Sequence, residues 1–196
     1  MPQEVDVFNV ALSKIGAEPV DNVNDGSINA AHCNRLYPPL RKALLRSHHW
    51  NFAEDRAELV QGATPAFEFS FSYALPPDLL KIKEYNGESL DTSNLLLTQI
   101  LKRFKIEGRL LLTNDGEVKI VYVKDVKNPD NWDSLFYQTI TTWLASDLAL
   151  AIAKDENKSD KLLKEAMGYW LPLATAVDGQ EGTVVPFSTD DLTWGR

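Results

Sequence analysis

The chain has 196 residues, 44% of them hydrophobic and 24% charged, which suits one domain or one domain with a sizeable insertion. The formal net charge of -8 argues against general nucleic-acid binding, because phosphate contacts need clustered Lys and Arg. A single cysteine, Cys33, excludes an intramolecular disulfide and a cysteine-based zinc cluster.

The opening "MPQEVDVF" lacks the basic start and apolar run of a signal peptide, so a chain made in the cytoplasm is expected. Residues 3 to 15 read as a helix, with Val5, Phe8, Leu12 and Ile15 on one stripe and Gly16 as its stop. The turn-rich "AEPVDNVNDGS" follows. Ser27 can cap a second helix running to about residue 49. Cys33, Leu36, Tyr37, Leu40 and Leu44 fall on one side of it, and Arg35, Lys42, Arg46 and His49 on the other. Pro38 and Pro39 in its middle predict a kink, or two short helices in sequence.

From Phe52 the period changes to two. Strands are predicted at 67 to 73, 102 to 107, 109 to 113 and 117 to 124, with a turn at Asn86 and Gly87. The short "EG" and "NDGE" segments predict tight antiparallel hairpins among the last three strands. Residues 91 to 101 are ambiguous between loop, strand and short helix. Helical period returns at about 131 to 154 and at about 158 to 173. The stretch 135 to 153 is apolar but interrupted by Gln138, threonines, Ser146 and Asp147, so it reads as a buried helix and not a membrane span. Residues 176 to 196 show no helical period and read as an extended arm.

The expected fold is therefore α+β: a four-helix bundle with an antiparallel β module inserted between helices two and three, plus an extended C-terminal arm. Residues 1–51 supply helices one and two, 52–126 the β module, 127–175 helices three and four, and 176–196 the arm.

Candidate chemistry is sparse. His48 and His49 are adjacent on a helix, so they point about 100 degrees apart and do not readily share one metal. No carboxylate nearby in sequence completes a site, and a helix C-terminus favours histidine for its charge. Cys33 projects from the apolar side of its helix and reads as buried and inert. No P-loop, dinucleotide fingerprint or "GxSxG" elbow is present, and no metal, cofactor or catalytic residue is assigned. Asp147 lies beside the apolar stripe of helix three, where a carboxylate needs a partner; an ion pair within the bundle or between subunits is expected. From Gly26 to Ala53 there is no Asp or Glu. The basic face of Arg35, Lys42 and Arg46 reads as a DNA-channel lining, a subunit contact, or a solvated face paired with neighbouring acids. Trp50 and Phe52 read as pins of the junction between helix two and the β module. On the arm, Val184, Val185, Pro186, Phe187, Leu192 and Trp194 read as partner-binding anchors.

The order and spacing of "ALSKIGAEPV" (11 to 20) and "NAAHCNRLYPPLRKALLRSHHWNFA" (29 to 53) resemble the tail tubular protein A family, the head-to-tail adaptors of short-tailed bacteriophages. The shared features are an "IG-x-x-PV" turn, here Ile15, Gly16, Pro19 and Val20, and a helix ending in Trp50, Asn51 and Phe52. The stretches 71 to 82 and 107 to 149 extend the resemblance, which covers roughly residues 5 to 170; the double proline in helix two departs from it. The resemblance implies a non-enzymatic virion protein, assembled in the host cytoplasm. It implies a dodecameric ring of this chain joining the portal protein to a tail nozzle protein similar to tail tubular protein B, with the arm reaching the portal. Genomic DNA would pass through the channel without sequence specificity, and no membrane is involved. The alternative is a tail-associated peptidoglycan or polysaccharide hydrolase, which needs two carboxylates about 5 to 10 Å apart in a cleft.

Overall fold

The computed structural model describes residues 3–90 and 103–181, a mixed α/β chain with helices and two antiparallel sheets. Helix α1 (Glu4–Ile15) stops at Gly16, which takes the left-handed φ of 76° that ends a helix cheaply only in glycine. The turn that follows is held by Asn9. Its side-chain amide donates to the Val20 carbonyl at 3.0 Å and accepts from the Val20 N–H at 2.8 Å. Ser27 then caps α2 (Ile28–Ser47), accepting from the Ala30 N–H at 3.0 Å.

Helix α2 runs unbroken for 20 residues through Pro38 and Pro39, so the two-helix alternative does not occur. The prolines withhold two donors, from the carbonyls of Asn34 and Arg35. Both of those residues lie on the exposed side, where water can replace the lost bonds.

Among the described residues seven strands follow: β1 (Glu54–Glu58), β2 (Phe71–Ala74), β3 (Leu79–Tyr85), β4 (Glu88–Ser89), β5 (Phe104–Glu107), β6 (Leu110–Thr113) and β7 (Lys119–Lys124). They form one sheet in the order β1-β7-β3-β4 and another in the order β2-β6-β5. Asn86 and Gly87, with φ of 48° and 82°, make the tight turn between β3 and β4. Two strand expectations are corrected. Residues 67 to 69 are not strand: the Phe69 N–H donates to the Phe67 carbonyl at 2.9 Å across Glu68, whose φ is 71°. Moreover, β6 and β7 do not form a hairpin. The link between them crosses from one sheet to the other, and Asp115 holds it there, accepting at its carboxylate from the Tyr85 hydroxyl at 2.8 Å and Arg103 at 3.0 Å. The Tyr73 hydroxyl donates to the Asp115 carbonyl at 3.0 Å.

Helix α3 (Ser134–Leu148) is capped by Asp133 and widens into a π-helical turn, Ala149–Ala153. A second rod comprises α4 (Glu156–Glu165), a π turn (Ala166–Trp170) and α5 (Leu171–Glu181). Pro172 explains the second widening, because it has no N–H for the carbonyl four residues back and its ring crowds that carbonyl. The rod is helical through Glu181, the last described residue, so residues 176 to 181 are not part of an extended arm. Arm residues Val184, Val185, Pro186, Phe187, Leu192 and Trp194, and the ambiguous segment 91 to 101, lie outside the described residues.

There are two cores. One is built by the helices and includes Phe8, Tyr37, Leu44, Trp50, Trp132, Phe136 and Leu144, together with Val123 and Val126. The other lies between the sheets and includes Tyr73, Tyr85, Leu111, Ile120 and Tyr122. Strand β7 belongs to both, with Ile120 and Tyr122 in the sheet core and Val123 in the helical core. A strand covered on both faces reads as a continuous apolar run, as "KIVYV" does. Among the described residues no helix is long and apolar enough to cross a membrane.

Candidate functional site

The end of α2 is held by several hydrogen bonds and ring contacts. Its last carbonyls have no helical donors. The Trp50 indole N–H donates to the Leu44 carbonyl at 3.0 Å, and the Ser47 hydroxyl donates to the same carbonyl at 2.7 Å. Trp50 is fully buried, and its ring meets Phe136 of α3 edge-on at 5.0 Å. Phe52 meets Phe136 at 5.0 Å and Trp50 at 5.9 Å. The chain leaves α2 through a single 3-10 turn, Asn51–Ala53, directly into β1.

Into this junction comes Asp178, one turn from the end of α5. It is 5% exposed, and its carboxylate lies 3.0 Å from His48 Nε2 and accepts from the Asn51 N–H at 2.9 Å. The Asn51 side-chain amide donates to the Asp178 carbonyl at 2.6 Å. The carboxylate beside His48 thus comes from 130 positions away in sequence. His48 also packs edge-on against Trp50, with ring centroids 4.8 Å apart. Among the described residues no cluster of three His, Cys, Asp or Glu could hold a metal ion. The His48–Asp178–Asn51 group joins the last helix to the helix–sheet junction.

The basic face divides. Arg35 and Lys42 are exposed and form no ion pair among the described residues. Arg46 is also exposed, but its guanidinium donates to the Leu80 carbonyl at the start of β3. It thereby ties α2 to the four-stranded sheet. Arg41, a further charge of this acid-free segment, is buried and not on the exposed face. Its Nε and Nη2 donate to Asp125 at 2.8 and 3.1 Å, and its guanidinium lies 5.1 Å from the Tyr37 ring centre. A bidentate pair buried on both sides fixes α2 against the end of β7.

Cys33 is fully buried, and burial, with a contribution from the Asp25 charge, pushes its thiol up to about 12. A thiol held protonated is a poor nucleophile. Asp147 is half-buried, and burial raises its carboxyl above the usual value. The expected ion pair for it is not formed among the described residues.

Two carboxylates do share a groove. Glu58 and Glu84, with Arg56 and Lys119, line a cavity of about 380 Å³ on the four-stranded sheet. Lys119 is paired with Glu117, so the groove is a mixed-charge strand surface. Comparison of the chain with family models and with curated proteins gives no match to either.

Proposed function

We propose that this chain is the head-to-tail adaptor of a short-tailed bacteriophage, a non-enzymatic virion protein that forms a ring between the portal and the tail nozzle. The proposed architecture is a four-helix bundle with a β module inserted between its second and third helices. The observation that carries the reading is the pair of cores: helices from both ends of the chain share one, and the strands between them in sequence build the other. That division supports the order of motifs on which the family resemblance rests. The motif residues also have defined roles here. Asn9 locks Val20 of the "IG-x-x-PV" turn, and Trp50 and Phe52 join helix, turn and sheet.

In this reading residues 182–196 form the arm that reaches the portal protein, anchored at its root by Asp178. The basic face of Arg35 and Lys42 meets passing DNA or a neighbouring copy. A ring is closed by heterologous contacts repeated by rotation. The test is a deletion of residues 182–196, which leaves α5 and the Asp178 contacts in place. The deleted chain keeps the circular-dichroism spectrum and melting temperature of the full chain but no longer assembles on the portal. Normal assembly of the deleted chain would remove the arm from the mechanism.

A further inference from the structure

A groove of about 390 Å³ opens where the last turn of α2, β3 and the β5–β6 turn meet. Leu79, Phe104 and Ile106 line it together with Arg46, Lys81 and Arg109. Among the described residues no Asp or Glu lines it, in a chain with 28 acidic residues against 20 basic. Arg46 and Arg109 each donate once, to the Leu80 and Pro76 carbonyls, and so keep most of their N–H groups for another acceptor. None of the three cations is ion-paired among the described residues. Ile106 is 46% exposed, so the groove offers apolar surface to its occupant as well as charge. It suits a ligand with carboxylates set beside apolar side chains.

We infer that this groove holds a segment of the same chain, residues 182–196. Asp178 is bound to His48, and Arg46 stands two residues before His48, so the segment leaves Glu181 within reach of the groove. Extended chain advances about 3.4 Å per residue, which carries Phe187 as far as about 20 Å from Glu181 and Asp191 about 34 Å. Asp190 and Asp191 stand between Phe187 and Leu192, which pairs carboxylates with apolar anchors as the groove requires. Residues 91–102, which lie between β4 and β5 in sequence, suit it less well, because Asp91 is offset by Lys102 and no net charge is brought. Tethering makes a weak contact sufficient. A segment on a short linker is present at an effective concentration of about 1 mM, so a contact with a dissociation constant of about 0.1 mM is about 90% closed. Docked in this way, Phe187 and Leu192 are withdrawn from water until a partner competes for them. That the partner is the portal rests on the adaptor reading; the contact itself does not.

The experiment is spin-label spectroscopy of the full chain carrying Thr189→Cys, whose thiol takes the nitroxide while the buried Cys33 stays unlabelled. The label is immobilised to the same degree from about 10 µM to about 0.5 mM, because a tethered contact does not depend on concentration. Lys81→Glu/Ile106→Glu frees it, whereas Lys42→Glu, a charge reversal on the exposed side of α2, leaves it held. A label that is mobile with the groove unaltered overturns the inference, and so does one held equally in the double variant. Immobilisation that appears only as concentration rises would mean that another copy's segment fills the groove, and would also overturn it. A second label at Lys105→Cys, on β5 beside the groove, covers the case in which the double variant misfolds. The two labels give one narrow distance; a broad distribution overturns the inference. A held label with portal particles left bare would remove the adaptor reading alone. Rings on the portal with a mobile label in the free chain would remove the present inference alone.

Discussion

His48 Nε2 lies 3.0 Å from the Asp178 carboxylate, and that contact joins the end of the second helix to the end of the last. Asp178 is almost fully buried while the His48 side chain is 31% exposed, so the two partners differ in what their loss costs. Removing Asp178 strips an acceptor from both His48 and the Asn51 N–H, and takes away the carboxylate that holds the two together. Asp178→Ala should therefore lower stability by about 2–4 kcal/mol, and His48→Ala by about 1 kcal/mol or less. Urea unfolding of the two variants checks this. Equal losses would mean that Asp178 serves only as the partner of His48.

Arg41 and Asp125 form the one ion pair in the described residues with both side chains about 6% exposed. Removing either side alone leaves a buried charge, and each of Arg41→Met and Asp125→Leu should cost about 3–5 kcal/mol. The double substitution should be less harmful than the sum of the singles, because no charge is stranded. A double-mutant cycle by denaturant titration measures that coupling; additive losses would show that the pair does not act as a unit.

Burial raises the Asp147 carboxyl above its ordinary value. The folded chain then keeps the proton to higher pH than the unfolded chain, so this group's contribution falls as pH rises through the raised value. Asp147→Asn removes that loss. Its thermal midpoint should exceed wild type at pH 7, and the gap should close as the pH drops below the ordinary carboxylate range. A gap that is the same at every pH would place the effect in packing and not in charge.

Local signals in the sequence were strong where a single residue dictates backbone geometry. Gly16, Ser27 and the Asn86–Gly87 turn each stand where their chemistry demands. What was not legible depends on contacts between distant segments. The Asp178 contact spans 130 residues, and Asp178 sits in a stretch with no detectable helical period. Residues 176 to 181 of that stretch are helical nevertheless: Ala176 and Val177 are their only apolar residues, too few to show a period, and Gly179 is a poor helix former. The β6–β7 misassignment has a similar origin. "NDGE" has the composition of a hairpin turn, but the hydroxyls of Tyr73 and Tyr85 and the Arg103 guanidinium hold Asp115 so that the chain passes between sheets. The Arg41–Asp125 pair was hidden because its two residues are ordinary surface types until the fold buries them.

The basic face offers a functional counterpart. Arg35 and Lys42 have no ion-pair partner in the described residues, whereas Arg46 holds the Leu80 carbonyl. Arg35→Glu/Lys42→Glu should leave stability within about 0.5 kcal/mol of wild type, as exposed substitutions away from structural contacts do. In the adaptor reading the same change impairs assembled particles, through DNA passage or through the neighbouring copy. Thermal melts together with infectivity of particles carrying the variant test both halves. A variant that melts early would show that the face is structural.

The central claim is the adaptor role, and electron microscopy of the full chain mixed with its portal tests it most directly. The account predicts a ring of this chain, coaxial with the portal and seated on its tail-facing end. Portal particles that remain bare at saturating concentrations of the chain would contradict it.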